Sequence, residues 1–106
     1  MPKFLIEATY SVEGAKGLLK DGGSKRREAA QAAIKSVGGK MESFYFAFGG
    51  IDAFVILDAP DNVSAAAASA VINASGSVQS RTVVLLTAEE MDEAVKKNVK
   101  YRAPGQ

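Results

Sequence analysis

From Phe44 to Leu57 the chain reads FYFAFGGIDAFVIL, apolar on successive residues where a strand with one wet face would alternate. The opening segment does alternate. Lys3 to Tyr10 predicts a strand with Phe4, Ile6, Ala8 and Tyr10 on one face and Leu5, Glu7 and Thr9 on the other. SVEGAKGLLKDGG then changes to helical spacing, with Val12, Ala15, Leu18 and Leu19 in one stripe and Gly22 and Gly23 as the stop. Ser24 is the expected N-cap of a longer helix carrying Ala30, Ala33, Ile34 and Val37 at helical intervals, ended by Gly38 and Gly39. Two strands follow, about Lys40 to Phe48 and Ile51 to Asp58, and the Gly49-Gly50 pair between them predicts a tight antiparallel hairpin. Pro60-Asp61-Asn62 offers a cap for a helix with Val63, Ala67, Ala70, Val71 and Ala74 on one face, closing near Gly76. Val78 to Leu86 predicts the last strand. Thr87-Ala88-Glu89-Glu90 has the form of a capping box, opening a short helix with Met91, Ala94 and Val95 inward. From about 96 to 106 a basic tail is expected to be extended or frayed.

The predicted order is β-α-β-β-α-β with a broken first helix and an appended last one. Right-handed crossovers turn that order into a ferredoxin-like α+β fold, an antiparallel sheet with both main helices on one face. The length of 106 residues suits a single domain. The helices leave one sheet face bare. Leu5 with Ala53, Val55 and Leu57, or with their alternates on that strand, would lie there beside Phe44, Tyr45, Phe46 and Phe48. A patch of several hundred Å² is at the upper end of what monomers expose. A second copy, sheet against sheet, is the expected cover; the alternative is the C-terminal helix folding back, which is too short to cover more than a corner.

Composition removes several classes of chemistry. Cysteine and histidine are both absent, which excludes disulfides, thiolate metal sites, cysteine nucleophiles and the commonest general base. No metal site and no cofactor are expected. Thirteen basic against twelve acidic residues leave a formal charge of +1, too little for affinity to nucleic acid by counterion release. No apolar run reaches a membrane span and the N-terminus shows no signal-peptide h-region. A soluble cytoplasmic protein without nucleic-acid or membrane partners is therefore expected.

The segments EGAKGLLKDGGSKRREA, ESFYFAFGGIDAFVILDAPDN and TVVLLTAEEMD, together with the opening strand, resemble the GYD domain family over nearly the whole chain. The resemblance implies a dimeric α+β barrel, in which two ferredoxin-like sheets pack face to face. It carries no general function. The name-giving motif falls on Gly50-Ile51-Asp52, with isoleucine where the motif has tyrosine.

Three groups of residues are candidates for function. At Gly49-Gly50-Ile51-Asp52, glycine would supply positive φ at the hairpin and Asp52 would cap the turn, or Asp52 would serve a ligand at the barrel mouth. Gly23, Ser24, Lys25, Arg26 and Arg27 place cations at a helix start, a candidate anion site with a solvated helix end as its plain alternative. Glu7 is the candidate catalytic group. On the open face it would share an apolar cavity with Tyr45 and Arg81, desolvation raising its pKa and an arginine lowering it; alternatively it forms a structural ion pair with Arg81 or Lys3. Two functions remain open at this point. One is binding of a small, mostly apolar or aromatic ligand at the sheet interface, where fold analogy points to cofactor-free monooxygenases and isomerases. The other is a non-catalytic oligomerisation or effector-sensing module whose aromatics are only core.

Overall fold

Strand β1 (Lys3–Tyr10) pairs antiparallel with both β3 (Ala53–Asp58) and β4 (Val78–Leu85), and β2 (Lys40–Phe46) pairs with β3. The computed structural model, which describes all 106 residues, thus has a four-stranded sheet in the order β2-β3-β1-β4. That is the ferredoxin-like order, and the fold class read from the sequence holds. Helices α1 (Val12–Asp21), α2 (Gly23–Ser36) and α3 (Asn62–Ala74) occupy one side of it, and α4 (Ala88–Val95) follows β4. No helix is long and apolar enough to cross a membrane.

The core is thin. Phe4, Ile6, Val55 and Leu57 of the two central strands meet Ile34 of α2 and Ala65 of α3. A smaller cluster of Ala8, Ala53 and Val78 continues it toward the other end. On β3, Ala53, Val55 and Leu57 therefore face the helices, and their alternates Phe54 and Ile56 face away.

Hydrogen bonds supplement this core on the β4 side. Asn73 Oδ1 accepts from the Ser80 backbone N–H at 2.7 Å and from the Ser80 hydroxyl at 3.0 Å, while the Ser69 hydroxyl lies 3.2 Å from that of Thr82. The Ser80 contact also satisfies a backbone donor on an edge strand. Gly14 lets α1 approach the β4 end closely, since a Cβ there would run into the Ser77 carbonyl.

Several local expectations are corrected. The turn between α1 and α2 is made by Gly22 alone, at φ +83°, which ends one helix and caps the next. Gly22 holds the cap position expected of Ser24, which lies in the first turn of α2. The stripe assigned to α1 is mostly exposed, Val12 and Leu19 strongly so, because α1 packs at the sheet end rather than over it. Helix α3 buries Ala65 and Ala68, with Ile72 half-buried beside them, rather than the face holding Val63, Ala67, Ala70, Val71 and Ala74. In a helix this rich in alanine both faces are apolar, so periodicity does not orient it. The link between β2 and β3 is a loop over residues 47–52, not a tight hairpin. Gly49 and Gly50 have no positive φ and a side chain on either would meet nothing, so the steric reason for glycine there falls away.

The Thr87–Glu90 capping box is present, but α4 does not turn inward. Met91 and Val95 are exposed, as is every residue from 86 to 106, and α4 makes no substantial contact with the other elements. The molecule is consequently elongated, 55 × 33 × 22 Å, with a radius of gyration of 16.7 Å where a compact chain of this length has about 13 Å.

Asp61 caps α3, its side chain accepting from the Ser64 N–H at 2.8 Å. This backbone hydrogen bond, seconded by the contact to the Ser64 side chain, holds the carboxyl below its ordinary 3.8. A folded value below the unfolded one means that the stabilisation is complete above the ordinary value and is lost as pH falls through the folded value. Asp61→Asn keeps an acceptor at the cap. It is expected to leave the melting temperature near neutral pH close to the parent's and to flatten its decline between about pH 5 and 2, as a series of thermal melts would read.

Candidate functional site

The sheet face turned away from the helices has no cover within the chain. Its residues form transverse rows fixed by strand register. One row is Ser43, Ile56, Leu5 and Val83, from β2 across to β4. The next is Tyr45, Phe54, Glu7 and Arg81. Polarity thus changes along the second row from a phenol and a phenyl ring to a carboxylate and a guanidinium. Tyr45 is 71% exposed, whereas Glu7 is half-buried between its neighbours.

At one end of the face, Lys3 closes the surface with two ion pairs, to Asp58 at 3.0 Å and to Glu42 at 3.2 Å. The hydrogen bond to Asp58, followed by that to Glu42, holds the Lys3 ammonium above its usual pKa. Lys3 is therefore engaged away from Glu7. Arg81 stands directly opposite Glu7 on β4, yet the chain's two ion pairs both belong to Lys3. The structural ion pair expected for Glu7 is absent, and its carboxylate is free on the open face.

Strand parity places Glu7 on that face, and register brings the expected neighbours Arg81 and Tyr45 into its row. Tyr45 is not a neighbour of Glu7, however, because β3 intervenes and the two backbones are roughly 10 Å apart. Phe54 fills the place between them. It was invisible as a site residue because AFVIL is apolar on both faces. Register against Glu7 is the signal that identifies it.

Asp52 has a different role. Its Oδ2 accepts from the Tyr10 N–H at 2.8 Å, its own N–H donates to the Ala8 carbonyl at 2.9 Å, and its carbonyl accepts from the Ala47 N–H at 2.7 Å. The aspartate pins the loop 47–52 to the end of β1, rather than capping its own turn. None of these contacts uses the side chain of Ile51, so the arrangement is indifferent to the replacement of tyrosine in the motif.

The cluster Gly23, Ser24, Lys25, Arg26 and Arg27 does not converge on one point. Helical geometry spreads it: Lys25 and Arg27 are exposed, Gly23, Ser24 and Arg27 border a shallow hollow with Phe44 and Phe46, and Arg26 turns inward between helices and sheet. No curated protein and no solved structure matches the chain significantly. The GYD domain profile matches residues 4–95 of the 106, from β1 to the last residue of α4, and the chain accordingly belongs to the GYD domain family.

Proposed function

We propose that this protein is a cytoplasmic homo-dimer in which two open sheet faces pack together and enclose a small, mostly apolar or aromatic ligand beside Glu7. The observation that carries the reading is the bare row Tyr45–Phe54–Glu7–Arg81, flanked by the apolar row of Ile56, Leu5 and Val83. Four strands at about 4.8 Å spacing over their shared length span roughly 400 Å² in mean plane, in the range of the largest patches that monomers show. Helix α4, which alone could have shielded it, stands off. A second copy also offers a surface to the exposed Leu86, Met91 and Val95 of the arm.

In such a dimer the rings of Phe54 and Tyr45 supply apolar walls, and Glu7 supplies an acceptor or, once desolvated, a proton. Arg81 lies on the neighbouring edge strand, opposite Glu7 in register, and offers a donor at the same end of the row. Substrate binding without chemistry and binding with proton transfer both fit this arrangement. A closed interface without a cavity would leave only the oligomerisation module.

Native mass spectrometry of the freshly purified protein tests the reading. The expected spectrum is an even oligomer carrying a co-purified small molecule. Glu7→Gln retains shape and removes charge; it is expected to keep the dimer, melt at the same or a higher temperature, and lose the bound molecule. A monomer defeats the proposal. An even oligomer that never carries or takes up a small molecule, with Glu7→Gln indistinguishable from the parent, favours the non-catalytic oligomerisation or effector-sensing module instead.

A further inference from the structure

On the opposite side of the sheet, α2 packs over β2 and α3 over β4, the two outer strands, with no substantial contact between the helices. The central strands are therefore roofed by a gap. The small side chains of Ala30, Ala33 and Ala68 do not fill it, and a cavity of about 120 Å³ remains above Ile6, Ala8, Ala53 and Val55. Its lining is almost wholly apolar. A dry engineered cavity of about 150 Å³ accepts benzene; this space is somewhat smaller but continues at one end into a second hollow, so it suits a short alkyl chain or one compact ring that reaches into its mouth.

The end of the cavity is not apolar. Arg26 and Tyr10 stand there, and both also border a wider, more polar hollow of about 330 Å³ beneath α1, near Glu13, Asp21 and Ser77. Arg26 is half-buried and has no ion-pair partner, since both ion pairs of the chain are made by Lys3. No lysine lines either space. A guanidinium at the junction of a dry slot and a wet vestibule is placed to hold a planar anion through two parallel N–H donors. The carboxylates of Glu13 and Asp21 repel multiply charged anions from the vestibule. One charge and one slot match one class of molecule.

We infer that the helix-side cavity is a second ligand site, one that takes a small monocarboxylate with its apolar body between α2 and α3 and its carboxylate on Arg26. Tyr10 offers a phenol O–H at the same mouth. The site does not depend on the dimer proposed above, because it lies on the other face of the sheet.

Sodium benzoate titrated into the isotopically labelled full chain, followed by two-dimensional amide NMR, tests the assignment. Saturable shifts are expected at Arg26, Ala30, Ala33 and Ile72, half-complete at about 1 mM or below, as befits so small a ligand. Arg26→Gln is expected to weaken benzoate at least tenfold while leaving benzyl alcohol, the uncharged body alone, unaffected. Ala30→Leu fills the slot and is expected to abolish both; Ala33→Val serves if that variant does not fold. Inorganic phosphate is expected to shift nothing at these positions. No saturable shift at about 20 mM benzoate, shifts confined to Leu5, Glu7 and Val83 on the open face, or undiminished binding by Arg26→Gln would each overturn the inference.

Discussion

Leu57→Ala is expected to lower the unfolding free energy by about 3–5 kcal/mol, from a total that for a domain of this kind is about 5–15 kcal/mol. Leu57 is 2% exposed and lies between Phe4 on β1 and Met41 on β2, beneath α2 and α3. Losing its buried surface costs about 2–3 kcal/mol by transfer alone. A cavity term adds to this, and its size depends on whether the neighbours can collapse. Here they are poorly able to, since the methyl groups of Ala59 and Ala65 have no length to reach into the space and Ile34 already packs in the same cluster. Leu57→Met, which conserves volume, is expected to cost less than about 1.5 kcal/mol. Urea titrations of the three proteins at one fixed concentration read the differences without a contribution from association. A cost below about 1 kcal/mol for the alanine variant would mean that the core is not centred on β1 and β3.

The elements and their order were legible because glycine, Pro60 and the caps punctuate the chain, and because β1 alternates cleanly. That alternation alone fixed the face of Glu7. Faces were illegible where both sides of an element are apolar. On β3 the side chains of AFVILD are oriented by register with β1, a tertiary fact. On α3 alanine lies on every face, so burial was decided by Ile72 and by the bond from Asn73 to Ser80.

The Gly49-Gly50 pair misled for a related reason. Glycine signals freedom to turn, but here Asp52 holds the loop through contacts with Tyr10, Ala8 and Ala47 that no local rule anticipates. Arg26 shows the same limit at the candidate site. Within GGSKRR it reads as one of three equivalent cations, and only the gap between α2 and α3 separates it from Lys25 and Arg27. Glu7 is left without Lys3, which is drawn to Asp58 and Glu42 at the far end of the face, a choice of partner that strand parity does not reveal.

Ile56→Lys is expected to convert the protein from a dimer to a folded monomer. Ile56 is half-buried near the middle of the open face, between Leu5 and Ser43. In a single chain the new ammonium can reach water along its own stem, with Asp58 next on the same face of β3 and Glu7 diagonally across on β1. The fold is therefore expected to lose no more than about 1 kcal/mol. Between two packed sheets the same charge has no access to water and would face the apolar row of the partner. Taking the ammonium out of water there costs several kcal/mol even beside a carboxylate, which corresponds to a loss of at least about a hundredfold in association. Size-exclusion chromatography with light scattering at micromolar concentration is expected to give twice the chain mass for the parent and the chain mass for Ile56→Lys, with the same far-ultraviolet circular dichroism. Should the lysine variant not fold, Leu5→Gln places an uncharged polar group in the same row and is expected to weaken the dimer in the same direction. A parent of single mass, or a folded Ile56→Lys that keeps the double mass, would show that the bare face is not where two copies meet.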